Sequence, residues 1–239
     1  MDALKKNKLI AHLCPSNVSE MFDQISTTYD QANRFLSLGL DLYWRRMLSK
    51  HLPQITPLYL LDLATGTGAQ IAALIQTKAP IQRAIGIDLS EKMLNIAKNK
   101  FSNLPIEFQQ ANAEALPFND QTFDLCTFSF GIRNVQHPIK ALSEMHRVTK
   151  AAGRCLILEF SLPANRFRIL YLFYLRHLIP QIGGWFTKDK SPYRHLNQSI
   201  EKFPSGEQFL GWMRQTGWKN VAAINLFLGL VTLYRGDKL

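Results

Sequence analysis

Residues 60–74 read "LLDLATGTGAQIAAL". A short apolar run ends in Asp62, the chain turns through Gly66-Thr67-Gly68, and apolar residues then resume at helical spacing. Strand, glycine turn and helix in that order predict the first unit of an open α/β sheet. Ligands of such sheets bind where loops leave the carboxyl ends of the strands. A dinucleotide fingerprint would need a third glycine at position 71, where Ile71 stands, and a P-loop would need a Gly-Lys-Ser/Thr run that is absent. Both phosphate-cradling readings fail.

Outward from this turn, the strand–helix rhythm continues. Apolar runs of strand length occur at 58–63, 84–88, 106–109, 123–129 and 155–160, with helix-like segments near 69–77, 90–101 and 138–149. Ser90 before Glu91-Lys92-Met93 reads as an N-cap, and Gly153 as a turn before the fifth strand. Strands alternating with crossover helices predict parallel βαβ units in a doubly wound sheet. After residue 207 a helix and two strands, 221–227 and 230–235, follow, closed tightly around Gly229, so that the last pair is antiparallel. The whole is one domain of residues 1–239, with a helical arm over 1–56 and an inserted helical region over 161–205. Within the arm, Met21, Phe22, Ile25 and Tyr29 keep amphipathic spacing, and Gly39 marks a break.

Composition narrows the function. The N-terminus is basic but lacks the apolar stretch of a signal peptide. The most apolar run, "ILYLFYL" at 169–175, is far shorter than the roughly 20 residues of a spanning helix. Cys14, Cys126 and Cys155 show no metal or redox spacing, which suits a reducing cytosol, and no His spacing suggests a metal. The net charge is +10, and residues 164–202 contribute Arg166, Arg168, Arg176, Lys188, Lys190, Arg194 and Lys202 against Asp189 and Glu201. Nucleic acid, an anionic membrane surface or an acidic substrate would each answer such an excess. The segment 166–186 reads as a buried helix, as the wall of an apolar pocket, or as a helix resting on a bilayer.

The ligand can be read from the strand ends. Asp88, closing the second strand, is placed to accept hydrogen bonds from both hydroxyls of a ribose. Asp62 could face a cationic amino group, and the glycine turn leaves room for a bulky chain. Asn112, in "QANAEALPF" after the third strand, could bond the exocyclic amine of adenine. A nucleoside without a pyrophosphate is implied, and S-adenosylmethionine meets these requirements. Asp62 could instead cap the turn, Tyr29 could be a core aromatic, and Arg133 could be a surface arginine.

The motifs "LDLATGTG", "GIDLS", "QANAEALPF", "SFGIRN" and "LEFSLP", in that order, resemble the ubiquinone/menaquinone-biosynthesis C-methyltransferases. The terminal stretches "MFDQISTTYDQANRFLSLGLDLYWRR" and "LVTLYRGDKL", and "YRHLNQSIEKFPS" between them, resemble the same family, so the likeness spans residues 18–239. It implies a class I, Rossmann-like methyltransferase fold: a seven-stranded, mostly parallel sheet with its last strand antiparallel. It implies adenosylmethionine contacts from Asp62, Gly66, Thr67, Gly68, Asp88, Asn112, Ala113 and Ser129. The chemistry implied is methylation of a ring carbon of a prenylated quinol, demethylmenaquinol before the benzoquinol precursor of ubiquinol. Arg133 would stabilise the oxyanion or position a proton-accepting water, with Tyr29 and Asn134 orienting the ring. Three positions depart from the pattern: Ala69 for an acid, Ala151-Ala152-Gly153 for Pro-Gly-Gly, and His195 for a tyrosine. No histidine is marked by its sequence position as the base.

Two other functional classes compete with this one. A nucleic-acid methyltransferase of the exocyclic-amine type would carry a Pro-Pro-aromatic turn where "SFGIRN" stands, so nucleic acid is not an expected partner. A cofactor-binding scaffold of a quinone-synthesis complex is disfavoured by Asp88, Asn112 and Arg133. The expected partners are the prenylated quinol and, through 164–202, an anionic membrane at its inner face; a homodimer is compatible but unspecified.

Overall fold

The computed structural model describes residues 18–163, 167–187 and 191–239. Cys14, Arg166, Lys188, Asp189 and Lys190, named above, lie outside the described residues, as does most of the basic N-terminus.

Seven strands form one sheet: β1 Leu58–Leu63, β2 Ile81–Asp88, β3 Ile106–Gln110, β4 Phe123–Ser129, β5 Thr149–Phe160, β6 Lys219–Leu226 and β7 Val231–Asp237, in the order β3-β2-β1-β4-β5-β7-β6. The pairs β1–β2, β1–β4, β2–β3 and β4–β5 are parallel; β7 runs antiparallel to both β5 and β6. The chain winds outward from β1 to β3, then returns to place β4 on the other side of β1. The crevice between the carboxyl ends of β1 and β4 is therefore the switch point of the sheet, where an open α/β fold admits a ligand.

Every residue of β4 is buried, as are five of the six in β1, because helices cover both faces. Alternation sorts the side chains. Leu61, Leu63, Cys126, Phe128, Cys155 and Ile157 pack on one face with α6 (Pro138–Val148) and α10 (Glu207–Gln215). Leu58, Leu60, Leu125, Leu156 and Leu158 pack on the other with Trp44 of α3 (Leu40–Met47) and with Ile71 and Leu74 of α4 (Ala69–Gln76). Cys126 and Cys155 are unpaired core residues.

The boundaries differ from the sequence pattern where polar residues hide a strand. β2 begins at Ile81 because exposed Arg83 covers the Tyr59 ring at 4.8 Å and so belongs to the sheet despite its charge. β5 begins at Thr149, and the expected turn at Gly153 lies inside it as an irregularity. The β4–β5 register shifts between the pairs Phe123–Thr149 and Leu125–Arg154, and Ala152 takes a φ of 60°. Any side chain at Gly153 would meet Thr149 Cγ2 at 2.6 Å, so the kink requires glycine. Ser90 caps α5 (Glu91–Lys100) as expected, accepting from Met93 N at 3.2 Å.

The arm is three short helices, α1 (Val18–Ile25), α2 (Tyr29–Leu36) and α3, with Gly39 at φ 78° opening the last. The insertion is helical too: α7 (Phe167–Phe173), a π-turn over Tyr174–Leu178, α8 (Ile179–Thr187) and α9 (Ser191–Lys202). Ala32 of the arm packs with Leu175, Ile179, Tyr193 and Ile200 of the insertion. Arm and insertion thus build one helical roof beside the switch point. The buried-helix reading of 166–186 fails over its described start: Ile169 is 80% and Leu170 66% exposed, while Leu175 is buried. A helix of two turns cannot bury all its faces against one neighbour.

Candidate active site

Two cavities meet at the switch point. The first, of about 540 Å³, lies over the ends of β1, β2 and β4 and is lined by Asp62, Gly66, Thr67, Asp88, Asn112, Ala113 and Ser129. Of the expected cofactor residues only Gly68 stays off its wall. It opens α4 at φ 77°, and a Cβ there would strike Phe101 Cε2 at 2.5 Å. Gly66, at φ 56°, has nothing within 4 Å of a would-be Cβ, so its backbone borders open space.

The carboxylates are held from behind. Asp88 accepts from Gly66 N at 2.8 Å and Ser90 N at 2.9 Å, tying the glycine turn to the next strand end. Burial pushes its carboxyl upward, and these backbone amides oppose the shift. Asp62 is 1% exposed and accepts from Thr65 Oγ1 at 2.7 Å and Thr127 Oγ1 at 2.6 Å. Burial raises its carboxyl to about 6; the two threonine bonds and then Arg45 pull it back. Asn112 Oδ1 accepts from Glu114 N at 2.9 Å, which fixes the amide at the cavity wall.

The roof closes on this cavity through two contacts that local sequence patterns do not show. Thr67 Oγ1 donates to the Asp30 carboxylate at 2.7 Å, and Ser90 Oγ donates to Asp23 Oδ1. A second line runs from Ser129 Oγ to Gln70 Oε1 at 2.9 Å, and from Gln70 Nε2 to Arg45 O at 3.2 Å. Gln70 had no sequence signal, because a glutamine on a helix reads as a solvent residue; at 1% exposure it instead joins β4 to α3.

The second cavity, of about 210 Å³, is apolar and lies under the roof. Tyr171, Tyr174 and Leu175 form its outer wall, with Trp44, Phe130 and Phe160 toward the sheet. Arg133 stands in it at 8% exposure, in the 3₁₀ turn Ile132–Asn134 after β4. Its Nη1 donates to Glu159 Oε1 and to Phe130 O, both at 2.6 Å, and its Nε to Ser199 Oγ at 3.3 Å. The guanidinium lies 5.2 Å from the centre of the Phe160 ring. Burial raises the Glu159 carboxyl, and Arg133 is the largest influence opposing that rise. The surface-arginine alternative is therefore removed. Tyr29 and Asn134 line both cavities, as do Phe22, Arg45 and Phe130. Among the described residues, the buried donors Trp44 Nε1 and Arg45 Nε have no hydrogen-bond partner; Trp44 lines the apolar cavity and Arg45 both.

The sequence profile of the ubiE/COQ5 methyltransferase family matches residues 10–238. The chain is 43% identical to the ubiquinone/menaquinone biosynthesis C-methyltransferase UbiE of Geotalea uraniireducens (strain Rf4), covering 92% of this chain and 96% of that one. It is 38% identical to the demethylmenaquinone methyltransferase of Clavibacter sepedonicus, covering 94% and 91%. Among solved structures, a SAM-dependent methyltransferase of Thermotoga maritima superposes with a TM-score of 0.63 at 18% identity, over 92% of this chain and 99% of that one. That likeness bears on the fold alone.

Proposed function

The chain belongs to the ubiE/COQ5 methyltransferase family, and from that footing we propose that it methylates a ring carbon of a prenylated quinol with S-adenosylmethionine, with demethylmenaquinol as the favoured substrate. The observation that carries this reading is the pair of joined cavities: a polar one whose wall matches a nucleoside, and an apolar one whose wall carries the buried Arg133 paired with Glu159.

In the polar cavity Asp88 would take the ribose hydroxyls, Asn112 and Ala113 the adenine edge, and Asp62 the ammonium, while Gly66 and Thr67 border the chain between them. Bound there, the cofactor supplies an electrophilic methyl group on sulfur. The protein's task lies with the acceptor. A ring carbon is a weak nucleophile until the neighbouring hydroxyl loses its proton and charge reaches the carbon. Arg133, held by Glu159, is a fixed positive charge for that oxygen among mostly apolar side chains, where such preorganisation is effective. Tyr29 and Asn134, at the junction, would orient the ring toward the methyl and supply the alignment on which transfer depends.

The isoprenoid tail would leave past Tyr171 and Tyr174. On the outside of that wall Ile169, Leu170 and Phe173 are exposed. Arg168 precedes them in sequence, and a residue of this type attracts anionic lipid at about 1 kcal/mol near a charged surface, while Arg176 beyond them is paired with Glu201 at 2.6 Å. Among the described residues no helix is long and apolar enough to cross a membrane; the proposed contact is peripheral, by α7 lying on the bilayer.

The test is direct. Purified protein with methyl-labelled adenosylmethionine should label reduced, short-tailed demethylmenaquinol and not its oxidised quinone. Label should rise when the quinol is offered in anionic rather than neutral vesicles. No label on any quinol, with the cofactor shown to bind by calorimetry, would sink the reading and favour the scaffold.

A pH dependence follows from Asp62. Its raised carboxyl stabilises the empty protein fully only below the ordinary value of 3.8, and that contribution is lost as pH rises through about 6. Pairing with an ammonium requires the carboxylate. Cofactor affinity should therefore be level above pH 7 and fall by up to about tenfold per pH unit below 6. Calorimetric titrations at pH 5 and 7.5 measure this, and equal affinities would remove Asp62 from the contact.

A further inference from the structure

One group in the second cavity has no part in the assignments above. His195, on α9, lines the apolar cavity, and its Nε2 lies 3.1 Å from Asn134 Oδ1. Asn134 in turn lines both cavities. The imidazole is thus one hydrogen bond from the place where an aromatic acceptor and a methyl donor would meet.

We infer that His195 is the proton acceptor for the ring hydroxyl of the substrate, held in the required tautomer by Asn134. The inference rests on the quinol-methylating reading and adds the residue that reading lacked. An amide oxygen can only accept, so Asn134 Oδ1 fixes the proton on Nε2 and leaves the lone pair on Nδ1. A carboxylate partner would have stabilised the imidazolium; an amide orients the ring without doing so.

The surroundings keep the base empty. Burial lowers His195 below its ordinary value of 6.5, and Arg133 lowers it further, so the imidazole is neutral at physiological pH. The other charged groups on the cavity wall are Arg45 and Asp41, and Glu159 stands behind Arg133. The tyrosine walls do not compete for the proton: burial pushes Tyr171 and Tyr174 upward, and Tyr29 and Tyr193 are the remaining phenols. Arg133 also makes a lasting imidazolium unfavourable, which suits a group that must give its proton back.

The step balances. The hydroxyl O–H breaks and its proton passes to Nδ1, while the oxygen pair moves through the ring to the carbon. That carbon forms its bond to the methyl as the carbon–sulfur bond breaks, its pair staying on sulfur. The methylated carbon then loses its own proton to solvent, the ring regains aromaticity, and the oxygen recovers a proton from His195. One proton is released per turnover.

The test compares wild type with His195→Gln and His195→Ala, using short-tailed demethylmenaquinol. Binding of S-adenosylhomocysteine by calorimetry and the thermal midpoint should stay close to wild type, since His195 lines the apolar cavity and not the polar one and is only partly buried. His195→Gln should lose about 10²–10⁴ in kcat/KM. With S-adenosylmethionine saturating at every pH, so that the Asp62 titration does not enter, the fall in wild-type activity on the acid side of neutrality should vanish in that variant. Added imidazole should restore part of the His195→Ala rate and none of the His195→Gln rate. His195→Gln within threefold of wild type, with the same acid limb, would overturn the inference. So would loss of activity with an unchanged acid limb and no imidazole rescue, which marks a structural role. Wild type that methylates no quinol would overturn the reading beneath it and this inference with it.

Discussion

Arg133→Ala is expected to lower methyl transfer by about 10²–10³-fold and also to cost about 3–5 kcal/mol of folding stability. Both losses come from one geometry. Arg133 and Glu159 are paired at 2.6 Å with side-chain exposures of 6% and 1%, and neither can reach water if the other is removed. Without the guanidinium, Glu159 keeps only backbone donors such as Phe160 N at 2.8 Å, and the influence that opposed the rise of its carboxyl is gone. Its pKa must climb further. A raised folded pKa gives stability that is present at low pH and lost as pH rises through it, so the variant should be weaker against denaturant at pH 8 than at pH 5.5.

A second variant separates fold from chemistry. Replacing both partners with apolar residues of similar volume, Arg133→Met with Glu159→Leu, removes the stranded charge and should recover most of the stability. It should not recover turnover, because the fixed positive charge at the floor of the apolar cavity is still missing. Denaturant midpoints and label transfer measured on the same preparations decide the matter. A double variant that turns over like wild type would show that Arg133 is only a buried structural cation.

The split between what the residues announced and what they hid has a physical cause. The sheet could be read because strands covered by helices on both faces are apolar throughout, as in "LYLLDL" and "FDLCTFS". The strand ends could be read because Asp62 and Asp88 interrupt those runs where ligands bind. The contacts that close the site were not legible. Thr67 with Asp30 and Ser90 with Asp23 join residues 37 and 67 positions apart, and no local pattern marks an aspartate on an amphipathic helix as a latch. His195 is similar. Its neighbours in sequence are ordinary helix residues, and only the return of α9 across the 3₁₀ turn after β4 brings it to Asn134, 61 positions away. The start of β2 is hidden because charged Arg83 lies on the Tyr59 ring, and the start of β5 because its register shifts around Ala152-Gly153. Burial of polar groups depends on tertiary partners, and hydrophobic periodicity cannot register it.

The Asp88→Asn variant should lose affinity for S-adenosylmethionine by about 10²–10⁴-fold, on the basis of two charge-assisted bonds of about 1.5–3 kcal/mol each. The notable part is what should not change. Burial raises the Asp88 carboxyl, so carrying the charge already opposes folding near neutral pH. Asparagine keeps an acceptor oxygen for one of the two amides, Gly66 N or Ser90 N, and sheds the half-buried charge. The thermal midpoint of the empty protein should therefore equal or exceed that of wild type, while the increase that cofactor gives the wild type should disappear. Asp88→Ala behaves differently, because it releases both amides. The glycine turn then loses its tie to β2, and the N-cap residue that holds Asp23 of the arm loses its anchor, so stability falls along with affinity. Calorimetry and thermal scans on the two variants distinguish a carboxylate placed for a ligand from one placed for the turn. Asp88→Asn binding the cofactor as tightly as wild type would assign Asp88 to the turn alone. A stable variant that no longer binds would mean that the fold tolerates a destabilising charge at the end of β2 for the sake of the ribose.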